Sequence, residues 1–283
     1  MSAELLATAL TAAEAGAAVL RRSFRNSSLA VEQKEENDFV TAADRESERA
    51  IVTEIRQCHP DHAILAKEGS GSDSSGEIKW LIDPLDGTTN FLQGLPVFCV
   101  SVACRRGAEP IAGVVLDPLR DDRFTALSGD GASWNGRPMR TSGRPGLAGA
   151  FLATSYPFKA HAALDLYLEV FREIFLRARA IRRCGAAALD LAYTAAGVYD
   201  GFFEFRLSPW DLAAGALLIE EAGGRVSDLD GGAGFLESGN VVAGGAGVHL
   251  ELLAVLAARG GEAAVERFDP RPTTAGTLAA AMR

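Results

Sequence analysis

Residues Trp80 to Phe91 read WLIDPLDGTTNF, and this stretch constrains the fold more than any other in the chain. The apolar run Trp80 to Ile82 predicts a buried strand. Pro84 has no N–H to give to a ladder, so that strand is expected to stop at Asp83. Asp83 and Asp86 are then fixed where the chain turns. Gly87, Thr88 and Thr89 resemble a helix start, where unpaired backbone N–H groups and the positive dipole end favour an anion. Carboxylates for a hard cation would lie beside donors for a phosphate. The string is also a good turn: proline presets φ, glycine permits positive φ, and aspartate bonds its own backbone.

Composition permits many functions and disfavours a few. At 283 residues and 48% hydrophobic, the chain can bury one large core or two fused ones. A net charge of -9 argues against a nucleic-acid or anionic-membrane surface. A small anionic substrate would need local positive charge, which a metal could supply. Cys58, Cys99, Cys104 and Cys184 show no CxxC or zinc spacing, which suits reduced thiols in a cytoplasmic protein. The N-terminal stretch carries Glu4 and Glu14 and puts its arginines last, opposite to a signal peptide. No apolar run is expected to reach the roughly eighteen residues of a membrane span.

Helical and strand patterns alternate without an internal repeat. Leucines among alanines predict a helix over 3–22, and Thr41 is a good N-cap for a second helix running to about Gln57, with Asp44 at its N3 position. Strands are predicted at 63–66, 79–83, 97–104, 110–116 and 123–127, with hairpin chemistry at Gly129 to Gly136. This half reads as helices against a largely antiparallel sheet. Beyond it, strands at 149–154, 179–183, 200–205 and 225–228 alternate with helices at 160–178, 186–197 and 210–222, a layered α/β rhythm. The Gly, Pro and Arg cluster at Ser142 to Gly146 divides the chain into an N-terminal α+β half, 1–144, and a C-terminal α/β half, 145–283.

Three distant segments add polar groups. Asp211 opens a helix in SPWDLAAGALLIEEAGG, where an acid in the first turn is ordinary dipole chemistry. Asp44 in KEENDFVTAADRES could likewise be a plain capping residue. Gly185 to Ala187 in CGAAALDLAY begins a helix that could receive a hydroxyl or phosphate, or could simply pack closely through small side chains.

The twelve-residue string, taken with these segments in the same order, resembles the signature of the inositol monophosphatase family of Mg²⁺-dependent, lithium-sensitive phosphatases. The resemblance implies a five-layer αβαβα sugar-phosphatase fold with the site between the halves, and a homodimer. It implies a metal-dependent phosphomonoesterase acting on a small phosphorylated polyol such as myo-inositol monophosphate, by two-metal activation of water. Hard oxygen ligands suit two Mg²⁺ sites, or three. On this resemblance Asp83 bridges the ions, Asp86 and Asp211 serve one, and the Leu85 carbonyl serves the other. Thr88 with Asp44 orients the water, Gly87, Thr88 and Thr89 hold phosphate, and Gly185, Ala187 and Glu204 meet the substrate. Histidinol phosphate, fructose bisphosphate and adenosine bisphosphate are alternative substrates, because ring recognition lies in loops that the motif does not fix.

One residue departs from the pattern. In ILAKEGSG the family usually has two adjacent glutamates, the first a metal ligand, and here the pair is Lys67 and Glu68. A charged lysine is donor-only and cannot ligate Mg²⁺. Lys67 could weaken one metal site, the register could shift so that Glu68 becomes the ligand and joins the catalytic group, or the change could be inactivating. Lys67 could also be a plain surface lysine in the Gly/Ser loop 69–76. A catalytically weakened homologue with a binding or regulatory role is therefore the competing class. The four histidines lack triad partners, Asp228 to Gly231 reads as a turn rather than a calcium loop, and the tail from Glu262, with Pro270 and Pro272, points to no particular function.

Overall fold

The computed structural model describes residues 2–26, 31–35, 38–71, 77–156 and 161–268. Helix α1 (Ser2–Ser23) leads to the antiparallel pair β1 (Val31–Glu35) and β2 (Asp38–Thr41), then helix α2 (Ala42–Cys58). Next come β3 (Ala63–Ala66), β4 (Ile78–Asp86), short helix α3 (Thr88–Leu92), β5 (Cys99–Arg106), β6 (Glu109–Asp117), β7 (Asp122–Leu127), β8 (Gly131–Trp134) and β9 (Arg137–Pro138). These seven strands, β3 to β9, form one sheet in sequential order, antiparallel except where β3 runs parallel to β4. The remainder is β10 (Phe151–Thr154), α4 (Leu164–Phe175), β11 (Ala180–Arg182), α5 (Ala187–Ala195), β12 (Gly201–Glu204), α6 (Pro209–Glu221), β13 (Arg225–Ser227), α7 (Phe235–Ser238), β14 (Val241–Gly244), α8 (Ala246–Ala257) and α9 (Gly261–Phe268). Its strands make a mixed five-stranded sheet ordered β11-β10-β12-β14-β13.

The two sheets and three helix pairs stack as αβαβα. The pair α1 and α2 covers one face of the large sheet, α5 and α6 lie between the sheets, and α4 and α8 cover the far face of the small one. Strand alternation explains the sandwich: on β5, Val100, Val102 and Cys104 face α1 while Cys99 and Ala103 face α5 and α6. A sheet covered on both faces needs apolar residues on both, which is why Trp80 to Ile82 is an unbroken apolar run. Helix α6 is squeezed between layers, and a Cβ at Gly215 would lie 2.5 Å from Leu191 Cβ on α5. Glycine there is a requirement of close approach.

Several sequence expectations need correction. The strand does not stop at Asp83 but continues through Pro84 to Asp86. The expected helix 160–178 is shorter, Leu164–Phe175, preceded by a 3-10 turn at His161–Ala163, and 157–160 lie outside the described residues. The strands β1, β2 and β14 and the helices α7, α8 and α9 went unread. The expectation that no apolar run reaches span length is corrected by α1, which is long and apolar enough by length and composition. Half of its most apolar window is buried within the protein. The Thr41 side chain, loop residues 72–76 and the tail beyond 268, with Pro270 and Pro272, lie outside what is described.

Two of the scattered histidines meet at the end of the large sheet. His59 and His62 stack with ring centroids 4.5 Å apart, and Trp80 Nε1 donates to His62 Nδ1 at 3.1 Å. Burial, and then the charges of His59 and Arg56, hold His62 below the ordinary histidine range. A base with a lowered folded-state pKa takes up protons on unfolding, so its contribution is complete above its unfolded pKa of about 6.5 and is lost as pH falls below it. Urea unfolding followed by tryptophan fluorescence should show stability dropping on acidification below that pH, with a smaller drop in His62→Gln.

Candidate active site

The site grows out of an irregularity in β4. Asp83 pairs with Ser101 and Asp86 with Cys99, so three steps on β4 oppose two on β5. This is a bulge of one residue, and it accommodates Pro84, whose missing N–H would break a regular ladder. In a regular strand, residues three apart point to opposite faces; the extra residue changes the parity, and both Asp83 and Asp86 act on the same ammonium, that of Lys67. The Leu85 N–H donates to Asp83 Oδ1 at 3.0 Å, which fixes the first carboxylate.

Lys67 follows β3 directly, and its backbone N–H extends the parallel pairing by donating to Ile82 O at 3.2 Å. Its Nζ lies 3.0 Å from both Asp83 Oδ1 and Asp83 Oδ2 and 2.9 Å from Leu85 O. Of the Lys67 and Glu68 pair, Lys67 is thus the residue that reaches these groups. Burial alone would depress its pKa, but Asp83, then Asp211, Asp44 and Asp86, hold it well above the lysine range. The loop after Lys67 is tied down by Glu48, whose fully buried carboxylate accepts the N–H of Glu68 at 2.6 Å and of Ser70 at 2.8 Å. Glu48→Gln would oppose an amide NH₂ to one of those donors. It should cost about 1–3 kcal/mol in urea unfolding and speed hydrogen exchange at Ser70.

The other expected residues converge on the same place. Thr88 Oγ1 lies 3.2 Å from Asp44 Oδ1 and 3.1 Å from Leu85 O, sharing one proton between them. Asp44 is fully buried on the first turn of α2, and one turn on, Ser47 Oγ donates to Pro84 O at 2.9 Å. Gly87 precedes α3 with φ 90°, a left-handed conformation that glycine adopts without strain. Thr89 is exposed, and α3 is only five residues long. Asp211 caps α6 by accepting the Ser208 N–H at 2.8 Å, so its plain helical role is present together with its charge on Lys67.

Gly185 and Ala187 lie beside this cluster because α5 begins there: the Ala188 N–H donates to Asp86 Oδ2 at 2.7 Å, and Asn90 Nδ2 donates to Cys184 O at 2.9 Å. Burial and then Asp83 push Asp86 up to about 7, opposed by Lys67 and the Ala188 N–H. Burial, followed by Asp190, Asp211 and Asp86, pushes Glu204 well above the carboxyl range. Glu48, Ser47, Asn90 and Asp190 were not anticipated. The signal for two of them was present: Ser47 and Glu48 recur at i+3 and i+4 from Asp44, polar groups on the face of α2 that also carries Ile51 and Ile55 into the core.

The donor set does not fit a metal at Asp83 and Leu85. Lys67 Nζ bonds Leu85 O, which also accepts a share of the Thr88 hydroxyl proton, and Asp83 bonds Lys67 through both oxygens. Among the described residues, no group of three or more His, Cys, Asp or Glu is arranged to hold a metal ion.

Known proteins share this architecture and much of the sequence. A Nus factor SuhB of Pseudomonas aeruginosa is 50% identical over 246 residues, covering 85% of this chain and 91% of that protein. The crystal structure of the extragenic suppressor protein suhB from Bartonella henselae superposes with a TM-score of 0.87 at 37% identity, covering 89% of this chain and 98% of that one. The inositol monophosphatase from Anabaena (Nostoc) sp. gives a TM-score of 0.81 at 35% identity, over 90% and 96% of the two chains. The profile of the inositol monophosphatase family matches residues 1–261. With the five layers and the intact WLIDPLDGTTNF string, these likenesses establish that the chain belongs to the inositol monophosphatase family.

Proposed function

We propose that this chain keeps the family's phosphate-ester site as a binding site with weakened hydrolysis, and that it works chiefly through binding in a regulatory role. One observation carries the reading: the Lys67 ammonium is bonded to both oxygens of Asp83 and to Leu85 O, the groups that the family resemblance gives to metal. The similar proteins named Nus factor carry a name that belongs to transcription, which supports a regulatory partner. The net charge of -9 favours a protein over nucleic acid as that partner.

The ligand class is a small phosphorylated polyol. Glu204, a buried carboxyl whose pKa burial and the neighbouring acids push up, is the group assigned to a ring hydroxyl, and the segment from Gly185 to Ala187 lies beside Asp86. Asp44 holds the Thr88 hydroxyl in place from the other side. Slow hydrolysis is the second reading, favoured by this Asp44–Thr88 pair, which is the arrangement the resemblance assigns to orienting water. Phosphate release from myo-inositol monophosphate, histidinol phosphate, fructose bisphosphate and adenosine bisphosphate, with and without Mg²⁺ and Li⁺, separates the two. The expected result is release far below that of Lys67→Glu on every ester. Equal rates in the two proteins would sink the weakened-site reading.

A further inference from the structure

We propose that Lys67 is a built-in counter-ion that stands in for one divalent cation, so that this chain holds its carboxylate cluster together with no metal between Asp83 and Leu85. The inference rests on the weakened-site reading and deepens it, because it says what has replaced the ion.

The ammonium is complete as a ligand. It has three protons, and three acceptors lie at 2.9 to 3.0 Å: Asp83 Oδ1, Asp83 Oδ2 and Leu85 O. The acceptors are nearly complete as well. Asp83 Oδ1 also receives the Leu85 N–H at 3.0 Å, and Leu85 O also receives Thr88 Oγ1 at 3.1 Å. A divalent ion would bond these oxygens at about 2.0–2.1 Å and would have to expel the ammonium first. Expulsion is opposed twice over. Asp83 is fully buried and needs a cation at contact, and Lys67 is anchored by its ladder bond to Ile82 O and by the Glu48 clamp on the next turn of its loop. Asp211, Asp44 and Asp86 add attraction at longer range. A tethered cation has no dissociation constant, so Asp83 keeps its counter-charge at any metal concentration.

Mn²⁺ is the probe, read by loss of the free-ion signal in electron paramagnetic resonance and by thermal unfolding of the full chain. The wild type should bind at least one ion fewer than Lys67→Glu, with its Tm unmoved. Lys67→Glu should gain roughly 5 °C or more at saturating Mn²⁺. Should Lys67→Glu fail to fold without metal, Lys67→Gln serves in its place. It should have a lower Tm than the wild type without Mn²⁺ and recover part of the loss when the ion is added. Equal Mn²⁺ binding and an equal Tm gain in wild type and variants would overturn the proposal. Phosphate release is a separate readout: rapid Mg²⁺-independent turnover by a wild type that binds fewer Mn²⁺ ions than Lys67→Glu would sink the weakened-site reading alone, and a wild type that binds as many ions as Lys67→Glu without turnover would sink the counter-ion alone.

Discussion

Lys67→Glu is expected to raise Mg²⁺-dependent phosphate release from a small phosphorylated polyol by roughly 10²-fold, equivalent to about 2.7 kcal/mol of barrier. The substitution frees both oxygens of Asp83 and one lone pair of Leu85 O from the ammonium, and it adds a carboxylate to the cluster. The rest of the arrangement is already assembled: Thr88 bonds Asp44, Asp86 is held by the Ala188 N–H, and Asp211 is held at the start of α6. The gain should therefore need no second mutation. It should also be sensitive to Li⁺, as the family resemblance implies. The same change carries a cost in the metal-free protein. Removing one partner of a buried ion pair typically costs about 3–5 kcal/mol, and here the remaining charge acquires a like neighbour. Without divalent ions the variant should unfold at markedly lower urea than the wild type. A variant that keeps wild-type stability without metal and wild-type phosphate release with it would contradict both halves of the prediction.

Gly215→Val should destabilise the protein by about 3 kcal/mol or more, and Gly215→Ala by about 1–3 kcal/mol. Glycine inside a helix normally costs about 1 kcal/mol relative to alanine, so the expected sign is opposite to helix propensity. The reason is the neighbour: the first atom to meet a new Cβ is Leu191 Cβ at 2.5 Å, which cannot rotate away as a side-chain tip could. Leu191 is fully buried between the sheets. Relief would require α5 and α6 to separate, and those helices carry Ala188 and Asp211 at their first turns. Gly143→Ala is the control, since a Cβ there meets nothing within 4 Å. A Gly215→Ala protein with a Tm equal to or above that of the wild type would refute the packing argument.

Much of the fold could be read from the sequence because its signals are local. Trp80 to Ile82 announced a strand covered on both faces, Gly129 to Gly136 announced the turns between β7, β8 and β9, and Asp44, Thr88 and Asp211 were placed by motif. What escaped depended on distant partners. Strand β14 and helix α8 lie in VVAGGAGVHL, where a glycine-dense junction imitates a loop, and only pairing with β12 and β13 shows the strand. Pro84 was read as a terminator by a sound local rule, but β5 tolerates one unpaired residue opposite it. Whether Lys67 or Glu68 reaches the cluster turned on a β3–β4 register that no pattern in either strand specifies. Helix α1 shows the opposite case: its composition is that of a span, and its environment is a core.

The bulge in β4 works as a reading frame. Side chains along a strand alternate between two faces, so position and face are normally locked together, and a change in one residue's side requires an insertion or deletion. The extra residue between Asp83 and Asp86 shifts that frame once, in mid-strand. Were the ladder to run on without the bulge, Asp86 would fall on the face opposite Asp83, towards α1 and α2, with every residue identity in the site preserved. The chemistry of this cluster is therefore encoded in a count as well as in a set of side chains, and a comparison that matches aspartates without matching the spacing between them would mistake an empty frame for a working one.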